Sequence, residues 1–229
     1  MNIPNLDDRI AGGNVVPAVS AGLDRLLQGI PALWRGHDGD NSTTGIETGF
    51  AALDAALPGG GWPAGALTEI LCEPNGIGEL RFLMPALARL GGGRLQAWIA
   101  PPYIPYAPAL TAAGIDLAAT IFIHPPRSTQ ALWAAEQLLR CGMCDAVLLW
   151  LKANEFRALR RLQLAAEQGD CWGVVFRGVE CAACPSPAAL RLRLRALDDD
   201  RLEVQILKAR GGWDRQSVQL KLSAATRHA

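Results

Sequence analysis

The sequence predicts an α/β fold: a mostly parallel sheet with helices on both faces, a C-terminal antiparallel meander and an N-terminal helical arm. Two patterns carry this expectation. Between residues 66 and 177, short continuous apolar runs alternate with segments of helical period, which is how strands buried on both faces read. After Pro185 the period falls to two. Leu190, Leu192 and Leu194 alternate with Arg191, Arg193 and Arg195; Leu202, Val204 and Ile206 alternate again, and so do Val218, Leu220 and Leu222. The length of 229 residues favours one full domain with short extensions.

The elements follow in order. Residues 1–16 are polar and contain Gly and Pro. Residues 21–30 read as a helix whose Leu23, Leu26, Leu27 and Ile30 make one apolar stripe. The segment Pro31-Ala32-Leu33-Trp34-Arg35-Gly36 and the polar stretch 37–44 complete an N-terminal arm and linker, residues 1–44. A short amphipathic helix carries Phe50, Leu53, Ala56 and Leu57, and ends at the turn Pro58-Gly59-Gly60-Gly61. Strands are expected at 66–71, 94–100, 120–124, 145–151 and 171–177, with helices at 78–90, 106–113, 129–140 and 154–168 between them. Asp198, Asp199 and Asp200 form a turn within the meander, which the pattern places at the edge of the sheet. The core is expected to span 45–222, with 223–229 as a tail.

Composition narrows the function classes. Half of the residues are hydrophobic, so a large core can form, and only 19% are charged. The 22 basic residues balance the 22 acidic ones, so no global field draws the chain to nucleic acid; a DNA contact would have to come from a local patch. The opening MNIPNLDDRIAGG has neither a basic n-region nor an apolar h-region, and Glu136 and Arg140 interrupt the apolar run around 131–139. The expectation is a cytoplasmic protein without a membrane partner.

The motif-bearing stretch is Thr48-Gly49-Phe50-Ala51-Ala52-Leu53-Asp54, followed by Pro58-Gly59-Gly60-Gly61-Trp62-Pro63-Ala64-Gly65 and then Ala66-Leu67-Thr68-Glu69-Ile70. It resembles the lead-in to a RecA-type ATPase core, where a TG…LD helix and a GGxPxG turn deliver the chain to the first core strand. At the other end, Leu207-Lys208-Ala209-Arg210-Gly211-Gly212 resembles the K-x-RGG strand end of RecA relatives. The resemblance covers roughly residues 45–222 and implies a RecA-like, P-loop-type core.

Three departures from that pattern bear on chemistry. A phosphate loop reads G-x-x-x-x-G-K-[ST], with backbone N–H groups and Lys on the phosphates and a hydroxyl on Mg²⁺. Here Glu73-Pro74-Asn75-Gly76-Ile77-Gly78-Glu79-Leu80 puts Glu73 at the first Gly, Glu79 at the Lys and Leu80 at the hydroxyl. A carboxylate ~4 Å from a phosphate repels it by about 1 kcal/mol in water and about 4 kcal/mol at an effective dielectric near 20. Glu79 has a structural reading as well, since an acid at a helix N-terminus favours the dipole. Second, the Walker B run Asp145-Ala146-Val147-Leu148-Leu149-Trp150 has its Asp at the wrong end and Trp150 at the acid's place, and indole cannot ligate Mg²⁺. Third, the strand that should end in a water-activating Glu ends in Ala100-Pro101-Pro102-Tyr103. The expectation is a pseudo-ATPase with no catalytic residue, no cofactor and no metal.

This degenerate core with a PALWRG-like segment ahead of it resembles the ImuA family of SOS-induced translesion DNA synthesis. The resemblance implies a non-catalytic accessory role in a mutasome, with ImuB, RecA and an error-prone replicative-type DNA polymerase as partners. Two alternatives stay open: a SulA-like cell-division inhibitor, which shares the degenerate core, and a weak RecA-like DNA-dependent ATPase. Leu33, Trp34 and Arg35 are candidates for partner contact. The arm either docks on a neighbouring subunit or partner, which would make a homo-oligomer, or folds back on its own core.

Other tempting residues have bland readings. Cys141-x-x-Cys144 and Cys181-x-x-Cys184 have zinc spacing, yet they flank opposite ends of parallel strands, roughly 20 Å apart at ~3.3 Å per residue. Small apolar packing residues are the preferred reading. Arg157, Arg160 and Arg161 share a helix face, either solvated or a binding patch. Arg191, Arg193 and Arg195 share a strand face and repel one another unless a partner or the nearby Asp198–Asp200 acids offset them. With Lys208 and Arg210 they complete the candidate partner-binding residues. The loops 152–154 and 178–187 carry no aromatic on which bases could stack, so direct DNA contact is expected to be weak or absent.

Overall fold

The computed structural model describes residues 45–73, 77–90, 93–151, 156–210 and 216–222. The expectations placed on the arm and linker 1–44, including Leu33, Trp34 and Arg35, lie outside the described residues. So do those on Asn75, Gly76, the loop 152–154, Gly211, Gly212 and the tail 223–229.

The T-G…L-D stretch has local physical reasons. The Thr48 N–H donates to Asp54 Oδ1 at 2.9 Å, and the Phe50 N–H donates to Thr48 Oγ1 at 3.1 Å, closing the turn that starts α1 (Ala51–Ala56). Gly49 sits at φ 85°, and a β-carbon there would lie 2.4 Å from Cβ of Pro85, so both backbone and space demand glycine. After the 3₁₀ turn Pro58–Gly60, Trp62 exchanges both backbone hydrogen bonds with Ile46, at 2.7 and 2.9 Å. Its buried ring stacks on Trp172 at 5.2 Å and meets Phe82 edge-on.

From there the chain alternates: β1 (Leu67–Cys72), α2 (Glu79–Arg89), β2 (Leu95–Ile99), α3 (Ala107–Ala112), β3 (Thr120–Ile123), α4 (Ser128–Arg140), β4 (Cys144–Trp150), α5 (Phe156–Gly169) and β5 (Trp172–Gly178). Three further strands follow: β6 (Leu190–Leu197), β7 (Arg201–Ala209) and β8 (Gln216–Lys221). The sheet runs β3-β2-β4-β5-β1-β6-β7-β8. The pairs through β1–β6 are parallel, and β6–β7 and β7–β8 are antiparallel. Each predicted element among the described residues forms within about two residues of its expected bounds, as propensity arguments allow. The meander lies at the edge of the sheet as expected, with β8 outermost, and β6 joins it to the parallel half by pairing with β1.

Two apolar layers result. On one face Phe82, Leu83 and Leu87 of α2 and Leu110 of α3 pack with Ile70, Leu148, Val174 and Leu192. On the other, Ala135 and Leu139 of α4 and Leu159 and Leu162 of α5 pack with Leu67, Val147 and Val175. Each fully buried Leu, Ile, Val or Phe among them contributes about 1.5–3 kcal/mol.

The junction between the parallel sheet and the meander is polar. Glu69 of β1, with 0% exposure, binds Arg177 of β5 on one side and Arg191 of β6 on the other, the latter at 2.6 Å. Arg191 also donates to the carbonyls of Cys184 and Cys181 at 3.0 and 2.9 Å. At the other end of the same strand pair, Gln163 of α5 accepts from the Leu67 and Ala189 N–H groups at 3.2 and 3.1 Å. Removing one member of a buried charged set strands the others without compensation. Glu69→Ala should therefore lower stability by about 3–5 kcal/mol, read as a lower urea midpoint at unchanged slope. Arg193→Ala, two residues from Arg191 but exposed, should stay within about 0.5 kcal/mol.

Candidate functional site

In open α/β sheets, ligands bind outside the carboxyl ends of the parallel strands, and the loop from β1 to α2 occupies that place here. Gly78 is the N-cap of α2, in a left-handed conformation at φ 89°, and Glu79 is the first helical residue. The cap has no side-chain hydrogen bond, so Glu79 acts in the first turn through the helix dipole. A β-carbon at Gly78 would lie 2.7 Å from Cδ1 of Leu222, so the residue just after β8 closes over the loop. Leu80, at the position of a magnesium-reaching hydroxyl, is half-buried against the apolar layer.

The loop's electrostatics are negative. Burial first, then the carboxylates of Glu79 and Glu73, push the Cys72 thiol at the end of β1 from its ordinary 9.0 up to about 12. The first cation along α2, Arg81, is spent in a bidentate pair with Asp200 at 2.6 and 3.1 Å. Phosphate at this helix terminus would meet two carboxylates and, among the described loop residues, no lysine or arginine.

The neighbouring strand ends are aromatic. Trp150 closes β4 and stacks on Phe176 of β5 at 4.6 Å with ring planes 17° apart; Trp98 of β2 leans on it at 6.1 Å. Asp145 lies at the opposite end of β4, 3.6 Å from Arg94. Burial raises the Asp145 pKa and Arg94 opposes the rise. Arg94 in turn donates to the carbonyls of Gly169 and Asp170 at 3.0 and 3.3 Å, so the pair secures the C-terminus of α5. The loop after β2 opens at Ala100, a non-glycine residue at φ 53°, and presents exposed Tyr103, Ile104 and Tyr106. His124, just after β3, is exposed.

The basic candidates separate. Arg191 is corrected from an outward partner-binding residue to an internal one, because Glu69 draws it under the 3₁₀ turn Val179–Ala183. The acids that answer the row are Glu69 and Glu203, the latter 2.8 Å from Arg195; Asp200 instead answers Arg81. Arg193 and Arg195 remain exposed and line a shallow depression with Glu203 and Gln205. Lys208 donates to the Ser186 carbonyl at 2.9 Å, its pKa lowered by burial and then by Arg191 and Arg210. Arg210 binds Glu167 at 2.5 Å. Burial raises the Glu167 pKa, but hydrogen bonds from Arg210 and Gln163 outweigh it and hold the carboxyl below its usual range.

The sequence reading assigned no role to Glu69 or Gln163. The signal for Glu69 was available: an acid in a strand buried on both faces needs a cation beside it. The cysteines are all free thiols. Cys144 opens β4 beside Cys141, and Cys171 just before β5 joins them; burial pushes the Cys144 thiol to about 11 and raises Cys171 further. Among the described residues, no three His, Cys, Asp or Glu side chains converge to hold a metal ion. Also among them, no helix is long and apolar enough to cross a membrane.

A mostly parallel sheet between two helical layers, with a glycine-bearing loop after its first strand, defines a RecA-like α/β core. Similarity to known proteins agrees. The chain is 34% identical to the RecA protein of Rubrobacter xylanophilus over 137 residues, which is 59% of this chain and 38% of that one. It is 33% identical to RecA of Clavibacter michiganensis over 129 residues, 55% and 34% of the two chains. It is also 33% identical to RecA of Acholeplasma laidlawii over 117 residues, 50% and 34% of the two chains. The match spans little more than a third of the length of these curated relatives. No family model matches the chain.

The raised Cys72 pKa sets a pH dependence. The unfolded thiol, near 9.0, ionises before the folded one near 12. The stability tied to Cys72 is thus fully present below pH 9 and is lost as pH rises toward 12. Urea titrations between pH 8 and 11 should show the decline, reduced in Cys72→Ala. Native alkylation at pH 8 followed by mass spectrometry should label exposed Cys141 and leave Cys72, Cys144 and Cys171 unmodified.

Proposed function

We propose that this chain is a non-catalytic RecA-like accessory protein of the ImuA kind, which helps assemble an error-prone polymerase complex after DNA damage. The observation that carries the reading is Glu79 at the first position of α2, where a phosphate loop needs a cation. Glu73 adds a second negative charge and Leu80 removes the magnesium-directed hydroxyl. Trp150, packed between Phe176 and Trp98, occupies the place of the second magnesium-directed group. On this reading MgATP would find neither a lysine for its phosphates nor oxygen groups for its magnesium here. The similarity to RecA supports a setting in DNA repair or recombination.

On this reading ImuB, RecA and an error-prone replicative-type polymerase are protein partners, and the core is a scaffold. Titration with a fluorescent ATP analogue and Mg²⁺ should give no saturable signal up to millimolar nucleotide. Affinity capture with the full chain should retain ImuB and RecA, and Trp34→Ala should reduce ImuB capture if the arm makes the contact. Mg²⁺-dependent turnover that disappears in Gly78→Ala would replace the scaffold with an active NTPase. Capture of the division tubulin homologue without ImuB would turn the reading toward a SulA-like inhibitor.

A further inference from the structure

The outer surface of α4 and α5 has a composition that the scaffold core does not explain. Both helices connect parallel strands across the same face of the sheet, so they run in the same direction. Glu136 of α4 fixes their register: its carboxylate binds Arg140 at 2.8 Å on its own helix and Arg161 at 3.3 Å on the neighbour. One turn back along each helix lie Trp133 and Arg157. Trp133 is 65% exposed, and α5 adds Phe156 at 45% and Leu164 at 51%. Single exposed apolar residues are ordinary. Trp133 and Leu164, interleaved with exposed Arg157, Arg160 and Arg161, form one mixed surface on the two adjoining helices, whereas Phe156 shares the Gln163 stripe on the flank of α5 away from α4.

Among the described residues its charge is unbalanced. Glu136 is shared between two guanidinium groups, and Glu167, whose field reaches Arg160, is held by Arg210. Among the described residues Arg157 has no carboxylate partner. Exposed tryptophan and arginine are the side chains that most often dominate protein interfaces. Leu164 favours a protein over nucleic acid, because a phosphate backbone offers an aliphatic side chain nothing to bury.

We propose that this α4–α5 surface docks an acidic amphipathic helix of a partner protein. Apolar side chains at i, i+3, i+4 and i+7 would cover Trp133 and Leu164, with flanking Asp or Glu on Arg157, Arg160 and Arg161. The surface lies on the sheet face opposite α2, so it stands or falls independently of any nucleotide result.

The test is fluorescence anisotropy with the full chain and a labelled peptide of about 18 residues, leucine at the helical-stripe positions and glutamate elsewhere. The acidic peptide should bind saturably, and the same peptide with lysine for glutamate should not. Trp133→Ala should weaken binding at least about tenfold, Arg157→Glu with Arg160→Glu should abolish it, and Lys221→Glu on β8 should leave it unchanged. Because Trp133 and both arginines are exposed, the variants should keep the wild-type melting temperature, which separates lost docking from lost folding. Failure of the acidic peptide to bind would overturn the proposal. Binding indifferent to Trp133→Ala would overturn it too, as would a single-stranded oligonucleotide that binds through these arginines while the peptide does not.

Discussion

The structure depends on a buried charge problem solved in one place. Glu69 lies in the middle of the central strand β1, without exposure, and its carboxylate is acceptable there only because β5 and β6 each place a guanidinium against it. That requirement ties the parallel half of the sheet to the antiparallel half. Apolar strands could pair in more than one register, because hydrophobic attraction is not directional. A carboxylate between two fixed guanidinium groups is directional, and it selects the register in which Glu69 faces Arg191. Gln163 performs the neutral version of the same task at the start of β1, holding two strand N–H groups that would otherwise be unpaired. The surplus positive charge of the triad is taken up by the carbonyls of Cys181 and Cys184, which is why the 3₁₀ turn after β5 folds inward over Arg191.

The same distribution of polar and apolar groups shapes the end of the sheet where nucleotide-binding relatives of this architecture do their work. Acidic Glu73 and Glu79 flank the loop, Leu222 closes over Gly78, and Trp98, Trp150 and Phe176 fill the strand ends alongside. These groups stabilise one another: Glu79 serves the helix dipole that an anion would otherwise serve, and the aromatic rings bury one another's faces.

Much of this fold was legible in the sequence because period and punctuation were strong. Continuous apolar runs separated by amphipathic segments marked β1 to β5, and the leucine alternation from Leu190 marked β6. What periodicity could not reveal was which strand β6 would join, since alternation describes a face and not a neighbour. For the same reason Arg191 read like Arg193 and Arg195. The three share a face, but only Arg191 lies level with Glu69 and beneath the turn at Cys181, so the row divides into one interior and two surface residues. Glu73, Glu79 and Leu80 are read from the sequence only as residue types; the structure adds that Glu79 opens α2 and that Leu80 packs half-buried against the apolar layer. Trp133, a single aromatic in an otherwise ordinary helix, gave no periodic signal, because its exposure is set by how α4 sits beside α5.

The stack of Trp150 on Phe176 makes an acid at that strand end costly to install. An aspartate placed at 150 would give up ring contacts worth about 0.5–1.5 kcal/mol beyond their area and would carry its charge into a half-buried aromatic bed. Trp98 and Phe122, which lean on the same cluster, would lose support in turn. The packing therefore locks itself: each aromatic makes its neighbours harder to exchange, and a polar strand end would require several replacements at once, with the early ones each less stable than the sequence they left.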